Sequence, residues 1–274
     1  MSQSNKVSPE EMTPSAVRVS HCNDAASNAA SKPCSNVIVT AKYNPLTFLP
    51  LNLYEQFSRL ANVFFLIIAC LQLFTDLSPT SKVATAGPLA LILMLNMVRE
   101  LFEDSGRHKA DAEVNNRMVE VVQPDGQILE KSWRSLQLGD ICRIKQNQEF
   151  PADIVVFSSS GDQGMCYIDT CNLDGETNLK IRNSMDCTKA LDAPEKLCGL
   201  RGRLEYELPN NRLYNFTGKL VRDGQEYSVD NENVLLRGAT LRNTAWAMGQ
   251  VIYTGRESKI MMNAQKGRVK RSNI

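Results

Sequence analysis

Histidine is nearly absent from this 274-residue chain: His21 and His108 are the only two. A multi-histidine metal centre, or a nucleophile activated by an imidazole relay, has almost no raw material here. The sequence also has no Gly-x-x-x-x-Gly-Lys-Ser/Thr loop, which excludes a P-loop nucleotide site. Charge of either sign is not in excess, with 31 Lys plus Arg against 30 Asp plus Glu. A net charge of +1 gives no basic surface of the kind a nucleic-acid partner requires. Eight cysteines are present, but no Cys-x-x-Cys pair and no secretory signal, so reduced cytosolic thiols are the reading rather than a disulfide framework.

What the chain does have is uneven texture. Residues 1–36 are rich in Ser, Asn and Ala with little apolar content, which predicts a disordered tail. Residues 37–58 turn apolar and aromatic, a cytosolic lead-in to a membrane. Leu60 to Thr75 and Val83 to Val98 are uncharged runs without a polar face, so each predicts a helix buried in protein or in lipid. The runs are short for a bilayer, yet Arg59, Lys82 and Arg99 at their ends are able to snorkel and extend the span. The reading is a helical hairpin, with transmembrane helices over 59–79 and 82–102 joined at Asp76 to Lys82. Basic residues flank the pair outside the turn, which puts the start, the finish and everything after them in the cytosol.

Residues 103–117 pair Glu103 with Arg107, Asp104 with His108 and Glu113 with Arg117 at i,i+4 spacing, which predicts a stalk helix. From Met118 the pattern changes to short β-type runs with turn punctuation, beginning with Val119 to Val122 and Pro124-Asp125-Gly126. Further runs at 128–133, 141–144, 154–157, 165–170, 178–182, 216–221, 234–236 and 248–253 predict a compact all-β domain over 118–263. Ser184 to Asn211 is polar, carries Pro194 and Pro209, and reads as an irregular insertion. Residues 264–274 are basic, as expected of a linker leading toward a third transmembrane helix.

Asp174-Gly175-Glu176-Thr177 falls between an apolar strand ending near Leu173 and another starting near Asn178, so it projects as a loop. Gly175 permits a turn that a residue with a Cβ resists. Taken alone, the two carboxylates fit a glycosidase acid and base, but an Asp-Gly pair by itself reads first as an ordinary turn. Around them, in a fixed order, stand Pro151-Ala152-Asp153, Leu235-Leu236-Arg237-Gly238 and Thr254-Gly255 through Lys259. The lead-in adds Thr40-Ala41-Lys42-Tyr43-Asn44, Phe48-Leu49-Pro50, Glu55-Gln56-Phe57 and Arg59 through Phe65, and Glu207 to Thr217 includes Pro209-Asn210-Asn211-Arg212-Leu213. This combination, from about Val37 onward, resembles the P4 branch of P-type ATPases, the phospholipid flippases; Asp174 stands where most cation pumps have Thr.

The resemblance implies a membrane protein of α+β class, a transmembrane hairpin carrying a cytosolic, distorted jelly-roll actuator domain. It implies a parent pump that uses ATP and Mg²⁺, passes through an aspartyl phosphate and carries phospholipid to the cytosolic leaflet of a plasma, Golgi or endosomal membrane. Glu176 would then align and deprotonate the water that hydrolyses the phosphoenzyme, with Asp174, Gly175 and Thr177 shaping the loop. Gln72 and Asn96 are polar within the apolar runs and fit either lipid-headgroup contacts or hydrogen bonds between helices. Leu73 follows Gln72 where some members have a second glutamine, which leaves the headgroup open.

The phosphorylation motif Asp-Lys-Thr-Gly-Thr is not in this chain, so the chain alone is expected to bind neither ATP nor Mg²⁺ and to be inactive. Its expected partners are phospholipid, the phosphorylation and nucleotide-binding domains of the same pump, and an accessory glycoprotein β-subunit. Two alternatives stand beside this reading: a non-catalytic short product that regulates full-length pumps, and a piece of a cation-transporting P-type ATPase.

Overall fold

The computed structural model describes residues 17–30, 33–75 and 84–264. From the amino end the elements run β1 (Val17–His21), α1 (Ala25–Ala30), α2 (Phe48–Phe57), α3 (Leu60–Phe74) and α4 (Ala86–Asn116). Then come β2 (Met118–Val122), β3 (Ile128–Ser132), β4 (Ile141–Lys145), β5 (Asp153–Ser159), β6 (Met165–Asp169), the single helical turn α5 (Cys171–Asp174) and β7 (Lys180–Asn183). The remainder is α6 (Pro194–Cys198), β8 (Arg203–Glu207), β9 (Thr217–Arg222), β10 (Gln225–Asp230), β11 (Val234–Leu235), β12 (Thr240–Arg242), β13 (Trp246–Tyr253) and α7 (Lys259–Asn263). These elements form two compact units, Met1–Ile38 with Asn115–Ile274, and Val39–Val114.

In the smaller unit, α3 has 15 residues, about 22 Å at the helical rise, against a hydrocarbon layer of ~30 Å. Among the described residues no single helix is long and apolar enough to cross a membrane. Phe48–Phe57 and Leu60–Phe74 meet that requirement only as a pair, bent by 95°. The two expected spans over 59–79 and 82–102 run into residues 76–83, which lie outside the described residues; among the described residues the second apolar run and the charged stretch beyond it are one helix, α4, of 31 residues. Arg99 and Glu100 cut its apolar part short. The expected turn at 76–82 lies outside the described residues.

The charged part of α4 does more than face solvent. Asp104 and Asp111, both buried, recur on one face with His108 between them. Asp104 accepts from the backbone N–H of Lys42 at 2.7 Å, and Asp111 from those of Thr40 at 2.8 Å and Ala41 at 3.0 Å. His108 Nε2 lies 2.9 Å from the Tyr43 carbonyl, and the expected Asp104–His108 pair is also made, at 3.4 Å. Residues 40–43 join no sheet, so these side chains supply the partners that their backbone donors need.

The larger unit holds three antiparallel sheets. Six strands run in the order β11-β5-β13-β4-β2-β3, four in the order β1-β8-β9-β10, and three in the order β12-β6-β7. β5 is buried along its whole length, and β13 along all but its first residue, as the near-continuous apolar runs Ile154 to Phe157 and Met248 to Tyr253 require of central strands. Val155, Phe157, Ile252 and Tyr253 from the six-stranded sheet share one core with Tyr206, Leu220 and Val229 from the four-stranded sheet.

Several sequence expectations change here. Residues 17–30, read as part of a disordered tail, form β1 and α1: β1 pairs with β8 from Val17↔Glu207 to His21↔Arg203, and Arg18 makes a two-pronged ion pair with Glu257 at 2.6 and 3.0 Å. Tertiary partners, not apolar content, supply what this segment needs to be ordered. The 184–211 insertion contains α6 and β8. The approach to the carboxylate loop is not a strand to Leu173, because β6 ends at Asp169 and α5 follows. The basic stretch at 265–274 lies outside the described residues.

Candidate functional site

β6 and β7 form a hairpin with the register Met165↔Asn183 through Ile168↔Lys180, and the carboxylate loop is the connection at its end. Thr170 to Gly175 is a single helical turn, closed by backbone bonds from Asp174 to Thr170 at 3.1 Å and from Gly175 to Cys171 at 3.0 Å. Leu173 packs against the core and fixes the turn to the domain. Gly175 then takes φ +78, the left-handed termination that glycine accepts readily. A Cβ there would meet nothing within 4 Å, so the backbone angle and not crowding asks for glycine.

Beyond the turn, Glu176 and Thr177 are exposed. Asp174 is held differently. Its carboxylate accepts from Tyr214 Oη at 2.6 Å, Lys180 Nζ at 2.5 Å, the Glu176 backbone N–H at 3.0 Å and Thr170 Oγ1 at 3.1 Å. Partial desolvation pushes its pKa up, but the bonds from Lys180 and Tyr214 outweigh that and hold it well below the usual carboxylate range. Lys180 also pairs with Glu176 at 2.9 Å, and its ammonium lies 4.8 Å from the centre of the Tyr214 ring. Lys180 is held protonated beyond its ordinary range, desolvation working against the two carboxylates that prevail.

These contacts separate the two acids chemically. Asp174 is ionised and engaged by donors, so it cannot serve as the protonated member of a glycosidase pair. Glu176 has a side chain 61% exposed and ends on the solvent side of a rigid turn, where it is open to a group brought from outside the domain. Lys180 and Tyr214 were not singled out from sequence. For Lys180 the i,i+4 spacing from Glu176 was a usable signal; Tyr214, 40 residues from Asp174, gave none.

The flanking motifs meet in a buried polar cluster. Asp153, fully buried, accepts the backbone N–H of Arg237 at 2.8 Å and of Lys259 at 2.7 Å. Burial raises its pKa to about 6 against these donors. Asn36 accepts from Arg237 at 2.8 Å and from the Gly255 N–H at 2.9 Å, and donates to the Trp133 carbonyl at 2.7 Å. Gly255, at φ +53, passes so close to the Ser35–Asn36 backbone that a Cβ would lie 2.0 Å from the Ser35 carbonyl oxygen. The buried ammonium of Lys259 donates to Glu207, Asn210 and the carbonyls of Arg212 and Asn215 at 2.8–3.0 Å.

Gln72 on α3 and Asn96 on α4 are both half-buried and belong to the smaller unit. Among the described residues no group of three or more His, Cys, Asp or Glu side chains converges to hold a metal ion.

The larger unit, with its antiparallel sheets and short helical turns, has an actuator-like architecture. Comparison with known proteins makes the class specific. Residues 20–86 match the family model described as phospholipid-translocating ATPase N-terminal. The chain is 45% identical over 245 residues to phospholipid-transporting ATPase IC of Xenopus tropicalis, covering 89% of this chain and 20% of that protein. Over 264 residues it is 43% identical to phospholipid-transporting ATPase 6 of Arabidopsis thaliana, which covers 95% of this chain and 21% of the relative. Identity to phospholipid-transporting ATPase tat-1 of Caenorhabditis elegans is 44% over 245 residues, 89% of this chain and 21% of the relative. The chain belongs to the P4-type, phospholipid-transporting ATPase family, and it spans about a fifth of the length of the curated relatives it matches.

Proposed function

We propose that this stretch is the actuator-bearing part of an ATP-driven phospholipid flippase, a membrane protein whose activity requires domains beyond it. The observation that carries the reading is the division of labour at the loop. Asp174 is occupied by donors that fix the turn, whereas Glu176 is exposed one residue beyond the left-handed glycine. Hydrolysis of an acyl phosphate needs a water aligned opposite the leaving carboxylate and a base to take its proton. Glu176 is the group available for both tasks, and Gly175 lets the backbone approach a phosphorylated site closely.

ATP and Mg²⁺ belong, in this reading, to the phosphorylation and nucleotide-binding parts of the pump. The smaller unit anchors the domain at the membrane through its apolar helices, with Gln72 and Asn96 as candidate headgroup contacts and an accessory subunit as a further partner. The test is Glu176→Gln in a full-length pump carrying this stretch. Phosphorylation from ATP is expected to proceed and phosphoenzyme decay to stall; decay at the unsubstituted rate refutes the role.

A further inference from the structure

We propose that Tyr214 is a positioning residue for the carboxylate loop, set in place by the buried ammonium of Lys259. The proposal rests on the reading of Glu176 given above and adds the means by which its turn is kept in one geometry.

The linkage runs from the buried cation outward to the loop. Lys259 has no exposed side-chain surface, and its ammonium, with three protons, faces four acceptors on residues 207–215. Its own backbone N–H is tied to Asp153, so the cation is fixed at both ends of its side chain. Residues 208–216 are not in a strand, and this cation supplies a partner to the Arg212 and Asn215 carbonyls and to the Asn210 amide oxygen. The loop so gathered carries Tyr214, whose ring is half exposed at 50% and makes no contribution to the buried core. An exposed tyrosine on an irregular loop has no packing reason to hold one orientation. Yet its hydroxyl donates to Asp174 at 2.6 Å while its ring face receives Lys180 at 4.8 Å.

Two of the groups that lock Asp174 are thus ordered together: Tyr214 directly, and Lys180 by resting on its ring. Asp174 in turn accepts the Glu176 N–H, which fixes the backbone from which the exposed carboxylate projects. Loss of the hydroxyl removes a charge-assisted bond from the turn and leaves the ring, the core and the Lys259 network untouched.

Tyr214→Phe in the full chain is the test, read by cleavage after Glu176 with a glutamate-specific protease. The variant is expected to unfold within a few degrees of the unsubstituted chain and to be cut at Glu176 about tenfold faster. In an Asp174→Ala background, which already lacks the acceptor, adding Tyr214→Phe is expected to change nothing further. An unchanged cleavage rate in the single variant, or effects that add in the double variant, overturns the linkage. In a full-length pump carrying this stretch, Tyr214→Phe is expected to slow phosphoenzyme decay, and an unaltered decay beside an opened loop overturns the positioning role. Normal decay in Glu176→Gln would instead bring down the reading of Glu176, with the proteolysis still judging the contact.

Discussion

Lys259→Met keeps a long apolar stem and deletes the ammonium that four acceptors share. Methionine fills irregular space well, so the cavity term is small and the loss is almost wholly electrostatic. Removing one partner of a buried ion pair costs about 3–5 kcal/mol. The Glu207 side chain is 19% exposed and water can reach part of it, which places the expected loss at the lower end, about 3 kcal/mol. For a domain of this size each kcal/mol lowers the melting temperature by about 2–4 °C, so a fall of about 6–12 °C is expected. Trp133 and Trp246, the only two tryptophans, both lie in the larger unit and report its unfolding by fluorescence in urea. A loss under about 1 kcal/mol refutes the argument, because it means that solvent satisfies these acceptors as well as the cation does.

Purified 274-residue chain is expected to show no vanadate-sensitive ATP hydrolysis, measured as phosphate release; turnover above background contradicts the assignment of ATP to other parts of the pump. Asp174 has a folded pKa depressed below its unfolded value, so its stabilising share is fully present above the ordinary carboxylate pKa of about 4, begins to fall there and is lost as pH drops through the lower folded pKa. Urea titrations from pH 6 to pH 3 are expected to show this loss, and Asp174→Asn to make the slope shallower. Gly175→Ala meets no atoms but must adopt φ +78, a cost of about 1 kcal/mol confined to the loop, visible as faster proteolysis there with little change in global stability. Asn215-Phe216-Thr217 is a glycosylation sequon on the face proposed to be cytosolic, so a mass shift on glycosidase treatment of the expressed protein contradicts that topology.

The amino-acid sequence alone determined what depends on neighbours along the chain. The two apolar runs, the charged helix that follows them, nine of the β runs and the turn at Gly175 are each written in local periodicity or in one residue's backbone freedom. Strands β1, β8 and β10 were not readable in this way, because VRVSH, RLEYE and QEYSVD carry charged or polar residues outward and are strands only once a partner is beside them. The same limit governs the site. Asp174 and Glu176 announced themselves by adjacency, whereas Tyr214 stands 40 residues from Asp174, and Asn36 meets Arg237 across 201. Such pairings are decided by how the sheets stack and where loops close, and no window of sequence contains both partners. Tertiary structure therefore decided that Asp174 is locked in place by several donors and that Glu176, paired with Lys180, keeps a largely exposed side chain.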